Sequence, residues 1–416
     1  MAYLGVDVHH GGYQVSLLSS ETGELNTETR AEELRVNCNA EGFGELTKWL
    51  ESNKAVGSGL KVAIDPTGTF YATPLIQFLH QLQAQVFFVP PIQAKAARRL
   101  LAHGTAKTDS IDARTLATLL AFQDEGRLAK NLPSYSAHQY PKETVMLELV
   151  RLRARLVKDR TRSRNRLHPL FYAVFPEGEV AHFRLLLRLA STCTSPRDIL
   201  QLQGSDSLST KSRRELEVVR NLAKNTVGVS SDGLFRAIHV WASIYSQANS
   251  LIKEIEAMLR ESVKQHPYGK VLLSFPNVGF VTAGTVIGAI KDIERFPDSR
   301  RLRKYCGVYG ERNQSGDGSG FDRPGKGGNR DVKRVLFQAT AACLIANRGR
   351  NDFLEYYERE LGKGKPKLRA LYAAVGKLID IIHFCLTNNR VYEYQGLYSR
   401  TGTKRAAAPD QTHIEG

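Results

Sequence analysis

The chain has 416 residues, 42% hydrophobic and 24% charged, which is enough apolar material for two or three packed domains and excludes a wholly disordered protein. Lys and Arg number 58 against 42 Asp and Glu, and the resulting formal charge of +16 points to a polyanionic partner, nucleic acid first and an anionic surface second. Five scattered cysteines without Cys-x-x-Cys spacing argue against a zinc module or disulfide framework, and no signal peptide or membrane-spanning run is read, so a cytoplasmic protein without membrane contact is expected.

In chain order, residues 3–8 (YLGVDV) read as a buried strand, and 12–18 as its hairpin partner across His9-His10-Gly11-Gly12. A weak strand at 35–38, a short helix at 43–51 and a strand at 61–65 follow, the last stopped by Pro66-Thr67-Gly68. Leu75, Ile76, Leu79 and Leu82 lie at helical spacing within 70–83, Val86-Phe87-Phe88-Val89 is a short apolar strand, and 92–102 reads as a helix. The run Lys107-Thr108-Asp109-Ser110-Ile111-Asp112 then opens an amphipathic helix with Thr108 at the N-cap and Leu116, Leu119 and Leu120 as its apolar stripe. A hairpin followed by strand–helix alternation predicts an α/β domain over residues 1–125.

Four acids stand out in that domain. Asp109 and Asp112, three residues apart, share one face of a first helical turn. They repel unless a cation lies between them, and a divalent ion such as Mg²⁺ (or Mn²⁺) prefers such oxygen ligands; alternatively they only complement the helix dipole. Asp65 ends a strand at a turn, where capping is the common role. Asp7 is flanked by Val6 and Val8 in a buried strand, and an acid there costs several kcal/mol, on the order of an unpaired buried charge, unless it is paired or metal-bound. Strand one, a later strand end and a helix carrying two acids form the layout of ribonuclease H-like nucleases, whose acids hold two Mg²⁺ ions.

Residues 140–265 are expected to be a basic coiled-coil and helical region. Val145, Leu149, Leu152 and Leu156 follow 4-3-4 spacing, and Arg151, Arg153, Arg155, Lys158, Arg160, Arg162, Arg164 and Arg166 crowd the same stretch against Asp159 alone. A phosphate backbone would relieve that repulsion, so Arg151, Arg155, Lys158, Arg162 and Arg166 are candidate nucleic-acid contacts. Short helical pieces punctuated by Pro and Gly fill 172–232. Leu234, Ile238, Trp241, Tyr245, Ala248, Ile252, Ile255 and Leu259 then alternate steps of four and three, a heptad that pairs with 145–156 or with another protomer.

Residues 266–395 read as a helical C-terminal domain, and 400–416 as a disordered tail. Phe275-Pro276-Asn277-Val278-Gly279 loosely resembles a helix-hairpin-helix turn. A glycine-rich loop, GERNQSGDGSGFDRPGKGGNRD, adds Arg323, Lys326 and Arg330 to the candidate nucleic-acid contacts, and Gly327-Gly328-Asn329 opens a helix to about 347; another is read at 368–387. Ser315 lies in this loop with no His–Asp pair arranged around it, so it is no hydrolase triad, and a nearby acid or metal would have to activate it.

The blocks GVDVH, DPTGTFY, KTDSIDA, LLSFPNVGFVTA, QSG and KGGNRDVKRVLFQA, in this order, resemble the transposases of the insertion sequence 110 group, including Piv-type DNA invertases. The resemblance implies an α/β RuvC-like (RNase H-like) N-terminal domain, a coiled-coil middle and an all-α C-terminal domain with a catalytic serine. By position the metal-binding tetrad is Asp7, Asp65, Asp109 and Asp112, with Mg²⁺ or Mn²⁺ as cofactor, and the serine is Ser315, with Ser319 four residues away. The family usually carries Glu in an E-x-T-G setting where this chain has Asp65. Implied partners are donor and target DNA, a structured guide RNA and further copies of the chain, as a dimer or tetramer. Two other readings are compatible with the residues: a RuvC-like structure-selective nuclease that leaves Ser315 idle, and a basic nucleic-acid-binding scaffold whose acids are helix caps.

Overall fold

The computed structural model describes residues 2–19, 31–65, 70–89, 91–101, 108–126, 134–135, 140–190, 193–202, 210–313, 321–324, 327–345 and 351–394. The chain divides into two compact units, Met1–Tyr140 and Pro141–Gly416.

The first unit is built on a six-stranded mixed sheet in the order β3-β2-β1-β4-β5-β6. Its strands are β1 (Ala2–His9), β2 (Gly12–Ser19), β3 (Glu32–Asn37), β4 (Leu60–Ile64), β5 (Gln85–Phe88) and β6 (Ser134–Tyr135). β1 pairs antiparallel with β2 and parallel with β4, which is parallel to β5; β6, not read in the sequence, closes the far edge antiparallel. The helices are α1 (Ala40–Ser52), α2 (Thr73–Gln81), α3 (Pro91–Leu101) and α4 (Asp109–Asp124). These elements lie within a few residues of the bounds read from periodicity.

The alternation of β1 sorts the two faces of the sheet. Leu4, Val6 and Val8 join a core with Leu46 and Leu50 of α1 and Leu75, Ile76 and Leu79 of α2. Tyr3, one residue out of phase with Leu4, instead joins Leu116, Ala117 and Leu120 of α4 in a second core. Gly5, Asp7 and His9 share the phase of Tyr3 and therefore the α4 face. The same argument holds on β4, where Val62 and Ile64 enter the first core and Ala63 the second, which puts Asp65 in phase with the α4 face.

Helix α4 lies against β1 in the opposite chain direction. At one end the Tyr3 hydroxyl donates to Asp124 Oδ2 at 2.8 Å, and Lys61 Nζ of β4 donates to the same oxygen at 2.6 Å. In the middle, backbone meets backbone: a Cβ on Gly5 would fall 1.8 Å from the carbonyl oxygen of Ala113 and 2.6 Å from the amide nitrogen of Ala117. Only glycine permits that approach, and the approach carries the first turn of α4 to the carboxyl ends of β1 and β4.

The second unit contains α5 (Tyr140–Val174), α6 (Pro176–Leu189), α7 (Pro196–Gln201), α8 (Thr210–Lys224), α9 (Asp232–Gln265), α10 (Pro267–Leu273), α11 (Phe280–Ile290) and α12 (Ser299–Tyr305). A hairpin of β7 (Gly310–Asn313) and β8 (Phe321–Pro324) follows, then α13 (Arg330–Ile345), α14 (Asp352–Gly362) and α15 (Lys367–Thr387). The α9 heptad divides between two cores: Leu234, Ile238, Trp241 and Tyr245 pack with the end of α5, α6 and α8, and Ile255 and Leu259 pack with the start of α5. Of the α5 seam read from spacing, Leu149 and Leu156 are partly buried but Val145 and Leu152 are exposed; Met146 and Val150 are the buried residues of that stretch. Arg153 of α5 pairs with Glu256 at 2.6 Å, and Arg160 donates to Asn249 at 3.2 Å, so the contacts step seven residues forward on one helix and seven back on the other. The two helices are thus antiparallel. Met146 and Val150 of α5 and Ile255, Leu259 and Val263 of α9 share one core with α10, α11, α13 and α15. Among the described residues α15 has the length and apolar composition to cross a bilayer, although no such run is read in the sequence; Ala374, Val375, Leu378, Ile379, Ile382 and others of its residues are buried, and the helix is accounted for as part of this core.

Gly5→Ala is expected to destabilise the first unit by about 2–3 kcal/mol, because the added methyl overpacks against backbone that cannot rotate away. The midpoint of urea unfolding measures this, and an unchanged midpoint would rule out the close approach of α4 to β1.

Candidate metal centre and basic face

The carboxyl ends of β1 and β4 and the amino end of α4 bring the acids of the first unit together. Thr108 caps α4 as read from the sequence, its hydroxyl oxygen accepting from the Ile111 amide at 3.2 Å, and Asp109 and Asp112 therefore both fall in the first turn. Asp65 follows β4 directly, its amide donating to the Val6 carbonyl at 3.4 Å, one residue before Asp7 on the neighbouring strand.

His9, which the sequence reading treated as part of a hairpin turn, lies at the centre. Its Nε2 is 3.4 Å from Asp7 Oδ2 and 3.3 Å from Asp109 Oδ2. One donor atom from each of Asp7, His9 and Asp109 lies within 4.8 Å of the other two. The signal was present in the sequence: in Asp7-Val8-His9 the acid and the imidazole are two apart on a strand and so share a face. The imidazole Nε2 is buried and has no hydrogen-bond partner among the described residues despite the two carboxylates beside it. An imidazole nitrogen between two carboxylate oxygens, without an aligned hydrogen bond to either, is a donor set that fits a divalent cation.

The electrostatics agree. Burial pushes the Asp7 carboxyl up to about 6; His9 opposes the shift, while Asp112, Asp109 and Asp65 add to it. Asp7 thus feels all three of the other acids. Asp112 is placed differently from Asp109. Its side chain is 11% exposed against 63% for Asp109, and Arg98 Nε of α3 lies 2.5 Å from its Oδ1. Both atoms lack a well-aligned hydrogen bond, so the contact is ionic rather than directional. Arg98 was not singled out in the sequence, where it stands in an ordinary Ala-Arg-Arg-Leu run.

In the second unit Arg151, Arg155, Lys158, Arg162 and Arg166 are exposed and, at steps of 4-3-4-4, occupy one face of α5. Arg151 pairs with Asp331 of α13 at 2.9 Å, Arg155 with Glu148 at 3.6 Å and Arg162 with Asp159 at 3.2 Å. Lys158 and Arg166 have no acidic partner among the described residues. Arg153 and Arg160, which composition alone counts with this cluster, turn toward α9 instead. Arg330 is exposed at the start of α13, where the Asn329 side chain accepts from the amides of Asp331 and Val332. Ser315, Ser319, Lys326, the 400–416 tail and the side chain of Arg323 lie outside the described residues.

A sequence profile described as "Transposase" matches residues 4–176, and a second, described as "Transposase IS116/IS110/IS902 family", matches residues 269–358. The chain is 27% identical over 354 residues to an insertion element IS110 uncharacterized 43.6 kDa protein of Streptomyces coelicolor, covering 80% of this chain and 83% of the relative. It is 21% identical over 402 residues to the pilin gene-inverting protein of Moraxella bovis, covering 94% of this chain and 97% of that protein. A transposase for insertion sequence element IS1111A from Coxiella burnetii is 24% identical over 212 residues, which is 50% of this chain and 57% of the relative. The first profile contains every residue of the acidic cluster, the second contains the β7–β8 hairpin, and together they span well over half of the sequence. The chain belongs to the IS110 family of transposases.

Proposed function

We propose that this transposase is a divalent-metal-dependent DNA recombinase that cuts and rejoins phosphodiesters with a serine nucleophile, guided by a structured RNA. The observation that carries the metal reading is the convergence of Asp7, His9 and Asp109, with Asp65 and Asp112 close enough to raise the Asp7 carboxyl. A strand order of β3-β2-β1-β4-β5 with acids at the carboxyl ends of β1 and β4 supports an RNase H-like, RuvC-like fold for residues 1–125. Residues 140–265 supply a basic helical region with coiled-coil packing, and 266–395 a helical domain whose β7–β8 connection carries Ser315.

In this reading Asp7 and Asp109 are the carboxylate ligands that converge with the His9 nitrogen, and Asp65 and Asp112 complete the acidic tetrad around them. The imidazole tilts a donor set otherwise suited to Mg²⁺ toward Mn²⁺. When bound, the cation polarises the scissile phosphate and offsets charge developing on its oxygens. The Ser315 hydroxyl attacks phosphorus and displaces one DNA oxygen, leaving the strand esterified to the serine. Attack on that ester by the hydroxyl end of a second strand rejoins the DNA and returns the serine, so phosphodiester bonds are exchanged without net hydrolysis. Lys158, Arg166 and the neighbouring cations of α5 hold the phosphate backbone of nucleic acid, and two or four copies assemble on the DNA.

Asp7→Asn, Asp109→Asn and Ser315→Ala are each expected to lower recombination of a donor–target plasmid pair at least 100-fold while nucleic-acid binding persists. Ser319→Ala is expected to recombine at the parental rate; the reverse order of the two serines would move the nucleophile. A protease-resistant DNA adduct is expected with the parental chain and absent from Ser315→Ala.

The raised Asp7 carboxyl sets a pH dependence. Its folded value of about 6 lies above the unfolded value near 4, so without metal the folded state loses stability as pH rises through 6. Metal binds the ionised form. The rise in unfolding temperature produced by Mn²⁺ is therefore expected to be full at pH 7.5 and to fade below pH 6; an equal rise at pH 5 would exclude Asp7 as a ligand.

Replacing Lys158 and Arg166 together by Gln is expected to flatten the dependence of log affinity on log salt by about 2 for structured RNA or duplex DNA, as two phosphate contacts are lost. An unchanged slope in a filter-binding titration would remove this face of α5 from the interface.

A further inference from the structure

We propose that Arg98 takes the place of a second metal ion, so that the acidic cluster binds a single divalent cation, at Asp7, His9 and Asp109, while the Arg98 guanidinium compensates Asp112. The inference rests on the metal reading above and specifies how many ions that site accepts and which residue sets the number.

Three observations carry it. The donor atoms that converge closely enough to share an ion come from Asp7, His9 and Asp109, and Asp112 is not in that group. Asp112 is more buried than Asp7, its side chain 11% exposed against 16%, and Arg98 Nε is 2.5 Å from its Oδ1. The arginine is itself only 27% exposed and reaches Asp112 from the last turn of α3, a helix packed beside α4.

The chemistry follows from these positions. A buried carboxylate must be compensated, and a guanidinium does so at any pH in the physiological range because it does not deprotonate. An ion seated at Asp112 would face a fixed positive charge at contact distance and would have to expel it into solvent. The Asp7–His9–Asp109 group has no lysine or arginine paired with it among the described residues; its His9 Nε2 lies 3.4 Å from Asp7 Oδ2 and 3.3 Å from Asp109 Oδ2 without an aligned hydrogen bond to either. The two halves of the acidic cluster are therefore unequal: one presents lone pairs to an ion, and the other already holds its cation as a side chain. Arg98 is a positioning residue in this arrangement. It fixes the Asp112 carboxylate in the first turn of α4 and holds a second positive centre beside the metal, where a phosphate bears two charges to be offset over the course of a strand transfer.

Titrating Mn²⁺ into the full-length, metal-stripped chain, with calorimetry for stoichiometry and electron paramagnetic resonance for coupling between ions, tests the proposal. The parental protein is expected to bind one ion per chain with an uncoupled spectrum, and Arg98→Gln to bind two with the signature of a coupled pair. Arg98→Lys is expected to remain at one. Asp112→Asn is expected to keep one ion with affinity changed less than threefold, whereas Asp7→Asn and Asp109→Asn lose it. Two ions on the parental chain, or one ion on a folded Arg98→Gln variant, would overturn the proposal. Should Arg98→Gln fail to fold, a tenfold or greater loss of affinity in Asp112→Asn would do so equally, since it would make Asp112 a ligand. Binding of no ion at all by the parental chain would instead refute the metal reading from which the proposal starts, and is distinguished from the other failures by the absence of any effect of Asp7→Asn.

Discussion

The contact between the backbone of α4 and the backbone of β1 at Gly5 determines what the first unit can do. Helices on sheets usually stand off by the depth of their side chains, and here that layer is missing at one point. The Ala113 carbonyl and Ala117 amide occupy the volume where a side chain on Gly5 would be. Tyr3 and Lys61 hold the far end of the same helix through Asp124. Between these anchors the helix has little freedom to slide, and its first turn is delivered to the ends of two parallel strands that carry acids of their own. Four carboxylates gathered in this way oppose folding through mutual repulsion and desolvation, as the raised Asp7 carboxyl shows. The packing at Gly5, Tyr3 and the apolar residues of α4 offsets that cost, which is the usual sign of a cluster retained for something other than stability.

Much of this was legible in the sequence because it depends on local period. An Asp between two valines in a strand has an environment fixed by the strand alone, and Asp109 and Asp112 share a face by helical spacing alone. Asp65 was read as a strand end, and the alternation of β4 carries it to the α4 face without further information. His9 and Arg98 were not found, for different reasons. His9 opens the run His9-His10-Gly11-Gly12 and reads as part of the turn, although the two-residue period from Asp7 continues through it. Arg98 could not be found by any local rule, since its role depends on where α3 packs against α4, and residues 102–107 between those helices carry no periodic signal.

The charge run of α5 shows the opposite limit. Eight cations in one stretch gave the correct impression of a strongly basic helix, but composition does not say which way each side chain points. The pairing with α9 turns Arg153 and Arg160 inward to Glu256 and Asn249, and the cations at steps of three and four from Arg151 remain outside. The heptad of α9 reads equally as pairing with residues 145–156 or with another protomer; within one chain its second half shares a core with Met146 and Val150 of α5, while Val145 and Leu152, two of the positions read as the seam, are exposed. Periodicity specifies that a seam exists; only complementary side chains in register specify with what.

The replacement of the expected Glu by Asp65 and the presence of His9 are connected by reach. An aspartate following β4 is one methylene shorter than a glutamate, and its amide is tied to the Val6 carbonyl, so its side chain has the shorter reach from the strand. A cation held between β1 and α4 would receive less from that direction. His9 stands on the side of the cluster that is otherwise open, with its nitrogen between Asp7 and Asp109, and extends from β1 by a ring rather than a short chain. On the proposed metal reading, a donor shortened on one strand is thus answered by a donor of a different chemical kind on its neighbour. The four carboxylates then keep their four negative charges, Arg98 offsets the one on Asp112, and His9 adds a donor without adding negative charge to the shell of a single ion.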